Sequence, residues 1–282
     1  MDLKKIRACI IQAIGSDDTL MELLVLKGGN ALDIVYELNS RTSVDIDFSL
    51  GGDFEDPSQI NSRLCNALTQ RFSTERYVVF DYKFEARPKR GPSGERWGGY
   101  QAEFKLISEA VYNTLQGNAQ DIRNAALSVG DPSSTRKFTI QISKFEWVSG
   151  AMKMDLDGIE FLVYTLPMIA AEKFRAICQQ MDGYAHTAHP RPRARDFLDI
   201  FTIVQNRALR FEDLVNRELV AAIFEAKEVP LSYLGRIKDT YDFHAQDWAS
   251  VQTTAPGSLE PFDYYFQFAV KQAEKLKPLW EK

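Results

Sequence analysis

The chain has 282 residues, 45% of them hydrophobic and 26% charged, with a net charge of −5. That balance fits a compact globular protein and argues against disorder and against a broad positive field that would coat nucleic acid. No apolar run approaches the roughly 18 residues that span a bilayer, and the N-terminus lacks a secretory cleavage pattern, so the expected location is the cytoplasm.

Leu3, Ile6, Ile10 and Ile14 predict a helix over about 3 to 14, and a second short helix is expected near 18 to 24. Gly28 and Gly29 follow, a pair that opens backbone conformations closed to other residues and brings amides close to a ligand. Asn30 reads as the N-cap of a helix running to about 38, whose free N–H groups favour phosphate. On the next strand, after Arg41 and Ser43, Asp45 and Asp47 alternate with Val44, Ile46 and Phe48, so the two acids share one face. Two carboxylates this close need a cation, and paired oxygen ligands suit Mg²⁺ with a triphosphate supplying further ligands. The alternative is a pair of acids that merely solvates a strand edge.

Asp56 and Pro57 mark the start of a helix to about Arg71, and residues 77–85 and 100–107 read as a β-pair. A helix near 119–127 and a strand at 137–143 complete a mixed sheet with helices packed on it. From about 158 the composition turns helical. Met168, Ile169, Ala171, Phe174, Ile177 and Cys178 form an apolar stripe behind Pro167, with Lys173 and Arg175 outside it. Asp196 and Asp199 then share a face of the helix after the loop at 182–194. Phe262, Tyr265, Phe266 and Phe268 form an aromatic stripe expected in the core rather than stacking on bases. Arg87, Lys89, Arg90 and Arg96, and then Arg191, Arg193 and Arg195, are basic groups that are either solvated or guide a phosphate backbone. Cys9, Cys65 and Cys178 suggest neither disulfides nor zinc, and His186, His189 and His244 lack the spacing of a metal site.

The segments LKGGNAL and RTSVDIDFS, followed by ISKFEW at 142–147, EKFRAICQQM at 172–181 and RPRARDFLDIFTI at 191–203, resemble the AbiEii/AbiGii toxin family. These are nucleotidyltransferase-like proteins related to the MenT toxins and, more distantly, to DNA polymerase β-type transferases. The resemblance implies an α/β (α+β) fold: a nucleotidyltransferase core over 1–157, and a helical C-terminal domain over 158–282 that contributes to the active-site cleft. Gly28, Gly29 and Asn30 would cradle the triphosphate, with Arg41 and Ser43 in support, and Asp45 and Asp47 would hold Mg²⁺. Lys173 and Asp196 match an active-centre lysine and aspartate of the family, with Asp199 close behind. Lys173 would grip the triphosphate and neutralise charge as pyrophosphate leaves. Asp196 would hold that lysine, bind the base or take a proton. The commoner role of such a pair elsewhere is a surface ion bridge. For a third acid the sequence offers Gln141, at the position where the family pattern leads one to expect a carboxylate, and Glu103; an amide is no base and a poor Mg²⁺ ligand.

The implied reaction moves a nucleoside monophosphate from an NTP to RNA, such as a tRNA 3′ end. The implied role is the toxin of a toxin–antitoxin or phage-defence pair, with a cognate antitoxin protein as partner. Two other readings stay open: an inactive nucleotide-binding protein of the same fold, and transfer to protein.

Overall fold

The computed structural model describes residues 1–38, 45–88, 97–115, 117–128, 136–187, 189–255 and 257–281. Arg41, Ser43, Lys89, Arg90 and Arg96 lie outside the described residues. The chain forms two compact units, Met1–Val35 with Thr42–Val163, and Tyr36–Arg41 with Tyr164–Lys282.

In the first unit, α1 (Leu3–Gly15) and α2 (Asp18–Leu23) are capped by Asp2 and Asp17, whose side chains accept the Lys5 and Leu20 N–H groups. There follow β1 (Val25–Leu26), α3 (Gly28–Asn30) running into a π-helical turn (Ala31–Val35), and β2 (Ile46–Ser49). Next come α4 (Pro57–Thr74), β3 (Tyr77–Arg87), β4 (Gly99–Ser108), α5 (Glu109–Thr114) and α6 (Ala119–Asn124). The unit closes with β5 (Phe138–Ser143), β6 (Met152–Leu156) and β7 (Ile159–Val163). The seven described strands form one mixed sheet in the order β3-β4-β5-β2-β1-β7-β6, parallel at β2/β5 and β1/β7. Its apolar face packs on the helices: Ile46, Phe48 and Ile140 are fully buried, and Phe72 of α4 meets the Phe104 ring at 5.8 Å.

Three sequence expectations change here. Asn30 is not an N-cap: the helix starts two residues earlier, behind Lys27, because the Asn30 side chain is spent inside the fold. The helix expected over 119–127 stops at Asn124. The stretch after 158 does not begin as helix, since residues 159–163 form β7, hairpinned to β6. Asp157 (φ 56°) and Gly158 (φ 85°) make the turn, both in the left-handed region that a type I′ hairpin requires.

The second unit is helical: α7 (Leu166–Cys178), α8 (Ala194–Arg207), α9 (Leu214–Glu225), a 3₁₀ helix (Leu231–Asp239), α10 (Tyr241–Ala245), α11 (Trp248–Thr254), α12 (Phe262–Glu274) and a last 3₁₀ turn (Lys277–Leu279). Pro167 sits in the first turn of α7, where its missing N–H costs nothing. The apolar stripe of α7 is buried as expected, but Arg175 is buried too, paired with Glu172 at 3.3 Å. Phe197 of α8 is the hub of an aromatic cluster, its ring 5.4 Å from Phe262 and 5.3 Å from Phe266. Phe262, Tyr265 and Phe266 are core residues. All three cysteines are free thiols, and no described helix is long and apolar enough to cross a membrane.

Candidate active site

The first cluster is built on three adjacent segments of the first unit. β1 pairs antiparallel with β2, and Lys27 N–H donates to the Asp47 carbonyl at 2.9 Å, which brings the glycine turn alongside Asp47. Gly28 has φ +68°, and a Cβ built on it would lie 3.2 Å from Asp47 Oδ2. Backbone conformation and close approach therefore both call for glycine here. Around Gly29 a Cβ would meet nothing within 4 Å.

Asp45 lies just ahead of β2 and Asp47 within it, both half-buried, while Ile46 and Phe48 face the core. Asn30 is wholly buried; its Nδ2 donates to the Asp45 carbonyl at 2.6 Å and its Oδ1 accepts from Arg7 at 3.1 Å. Its side chain therefore holds Asp45 in place rather than reaching outward. Arg7, itself 2% exposed, also pairs with Asp33 of the π-helical turn at 2.7 Å.

Across the parallel pairing, Asp47 faces Gln141, and Gln141 faces Gln101 on β4. A carboxylate only accepts, so the Gln141 amide turns Nε2 toward Asp45 Oδ2, at 3.3 Å. Glu103 pairs with Thr139 on β5, two strand spacings from β2, or about 10 Å. Its oxygens take hydrogen bonds from Lys137 (3.0 Å) and Gln101 (2.7 Å), and Lys137 chiefly holds its pKa below the usual range. Among the described residues no group of three His, Cys, Asp or Glu converges on one point. The donor set is therefore two carboxylates beside a glycine turn, which suits an ion that draws its other ligands from water and phosphate.

Nearby, Lys27 Nζ lies 3.5 Å from Glu146, and both side chains are buried. Sequence reasoning missed this pair and Arg7. Lys27 stands inside the LKGGNAL motif and Glu146 inside ISKFEW, so both motifs contained a charge without a stated partner.

The second cluster lies in the second unit. Lys173 Nζ of α7 sits 2.8 Å from Asp196 Oδ1 and 2.8 Å from Asp199 Oδ2, both on α8. Arg195 Nε flanks Asp199 Oδ1 at 3.2 Å, and Arg193 Nε lies 2.8 Å from Asp196 Oδ2 in ion-pair contact without hydrogen-bond alignment. Burial alone pulls Lys173 down, but Asp196 and Asp199 outweigh it and its pKa is raised. Burial pushes Asp196 up, but Arg193 and Lys173 outweigh that and its pKa is lowered. Lys173 and Asp196 are both charged at neutral pH. An ammonium has three donors, and the two aspartates take two of Lys173's. Arg193 and Arg195 are thus committed to these aspartates rather than to a phosphate backbone, and Arg87 contacts Glu85 at 3.4 Å.

The sequence matches the model of one family, described as nucleotidyl transferase AbiEii toxin of a type IV toxin–antitoxin system, over residues 10–270. No curated protein matches it. Among solved structures it is similar to JHP933 from Helicobacter pylori, with 16% identity over 98% of this chain and 94% of that one and a TM-score of 0.48. A candidate nucleotidyltransferase from H. pylori gives 15% identity, 99% and 96% coverage and a TM-score of 0.47. An antigenic nucleotidyltransferase-like protein from Paracoccidioides brasiliensis gives 11%, 80%, 93% and 0.37.

Proposed function

We propose, from the premise that this chain belongs to the AbiEii nucleotidyltransferase toxin family, that it moves a nucleoside monophosphate from an NTP to RNA in a Mg²⁺-dependent reaction. The observation that carries this reading is Gly28 set against Asp47, where a side chain at the glycine would crowd the carboxylate oxygen. Asp45 and Asp47 would hold Mg²⁺, and the amides of Gly28 and Gly29 would approach the phosphates. A bound Mg²⁺ supplies charge neutralisation on the triphosphate and its leaving group. Lys173, with a third donor beyond those given to Asp196 and Asp199, would balance charge that develops as pyrophosphate departs. With both oxygens of each facing cations, Asp196 and Asp199 are better suited to hold Lys173 than to take a proton. The family points to a role as the toxin of a toxin–antitoxin pair, acting in the cytoplasm, with an antitoxin as partner and phage defence as one use of such a pair.

A second reading, a nucleotide-binding protein without transfer activity, is favoured by Gln141, an amide opposite Asp47. The two separate in one experiment. Purified protein and the Asp45→Ala/Asp47→Ala variant are incubated with Mg²⁺, each labelled NTP in turn, and total cellular RNA and protein. Metal-dependent label on RNA that disappears in the variant supports the proposal, and label on protein redirects the acceptor. Nucleotide binding without any label favours the inactive binder.

A further inference from the structure

The first turn of α8 carries Asp196, yet its cap residue, Arg193, makes no side-chain cap bond. A helix start leaves four backbone N–H groups without partners inside the helix, and buried ones must be answered from elsewhere. Here the answer comes from α10 and the start of α11. His244 Nδ1 accepts the Arg193 N–H at 3.0 Å, from 51 residues further along the chain. Asp247 Oδ1 accepts the Ala194 N–H at 3.1 Å.

The His244 ring is fully buried, 5.2 Å from Phe197 and 5.0 Å from Phe243. Burial pushes its pKa down to about 4, against the pull of Asp196, so the ring is neutral at neutral pH. With Nδ1 accepting, the proton sits on Nε2, and Nε2 has no hydrogen-bond partner among the described residues. Packing alone would be better served by an apolar ring than by one with a stranded donor. What histidine adds in this aromatic setting is the acceptor at Nδ1.

We infer that His244, seconded by Asp247, is a positioning residue for transfer: it caps α8 from a distance, and so fixes Asp196 and through it the Lys173 ammonium. The inference rests on Lys173 and Asp196 taking part in the proposed reaction. The mechanical link is short. Asp196 N–H donates to the Arg193 carbonyl at 2.9 Å, and Arg193 Nε lies against the Asp196 carboxylate, so a displaced Arg193 disturbs both contacts.

The test uses two isosteres in the full chain. Asn places Oδ1 where His places Nδ1, and Gln places its polar end where Nε2 lies. Both are polar and similar in bulk, so a residue that only fills space would tolerate them alike. Amide exchange at Arg193 and Ala194 is measured beside kcat and KM for the NTP in the labelling assay. His244→Asn should stay close to wild type. His244→Gln should exchange at least about tenfold faster at Arg193 and lose about tenfold to a hundredfold in kcat, with KM moving less. Asp247→Asn, which keeps an acceptor, and Asp247→Leu, which does not, repeat the comparison at a half-exposed residue should the His244 variants fail to fold. Acceptor-keeping and acceptor-lacking variants behaving alike beside an active wild type would overturn the inference alone. A wild type that labels nothing would overturn the transfer reading and this inference with it.

Discussion

Arg7 shows how one buried side chain can govern the position of another it does not touch. Its guanidinium holds Asp33 and Asn30 Oδ1, and Asn30 Nδ2 holds the Asp45 backbone carbonyl. Arg7→Met should destabilise the first unit by about 3 kcal/mol, the low end for breaking a buried pair, because Asp33 keeps some solvent. A second change, Asp33→Leu, should recover much of the loss; urea unfolding of the single and double variants decides. Gly28→Ala should cost about 1–2 kcal/mol for its left-handed backbone and should weaken Mg²⁺ binding, read by titration calorimetry, because the new methyl meets Asp47. At this scale the sequence was partly legible. The glycine pair and the alternating acids could be read because their roles follow from backbone geometry and a period of two. Arg7, Lys27 and Glu146 could not, because a charge at the edge of an apolar stripe looks solvated until its partner, far off in sequence, is known.

Elements were legible where a local rule set their ends. Asp56 accepts the Ser58 and Gln59 N–H groups and Pro57 opens α4, as the sequence suggested; Asp56→Ala should cost about 1 kcal/mol in thermal or urea unfolding. β1 was not legible, because two residues carry no period and its place is set by pairing on both sides. The β6–β7 hairpin should have been legible, since Asp-Gly between alternating segments is a strong turn marker. Reading a change to helix at 158 divided that turn in two. A Cβ at Gly158 would meet nothing within 4 Å, so Gly158→Ala should cost only its backbone strain, about 1 kcal/mol, and Gly158→Asn should restore part of it. A full-size loss in both would mean that the turn contributes contacts this geometry lacks.

For the molecule as a whole, the chain divides at Val163/Tyr164, with Tyr36–Arg41 joining the helical unit, where Tyr36 Oη donates to the Tyr164 carbonyl at 2.8 Å. That sequence-distant return was invisible to a reading that runs along the chain. The helical unit should also carry a pH signature. His244 titrates near 6.5 when unfolded and about 4 when folded, so its neutral form favours folding fully above pH 6.5, and that stability is lost as pH falls toward 4. Between pH 7 and 5 the loss should be about 2 kcal/mol, absent in His244→Asn and measurable as a shift in the unfolding transition of that unit. In the first unit, Asp81, held down to about 2 chiefly by Arg123, contributes a separate loss only as pH falls below its unfolded value of 3.8. The two-residue strand β1 has a consequence for synthesis. It is held between β2 and β7, so the glycine turn and its carboxylates leave the ribosome long before the second of the strands that fix them. Stalled nascent chains should therefore become protease-resistant around the glycine turn only once residue 163 is out of the tunnel.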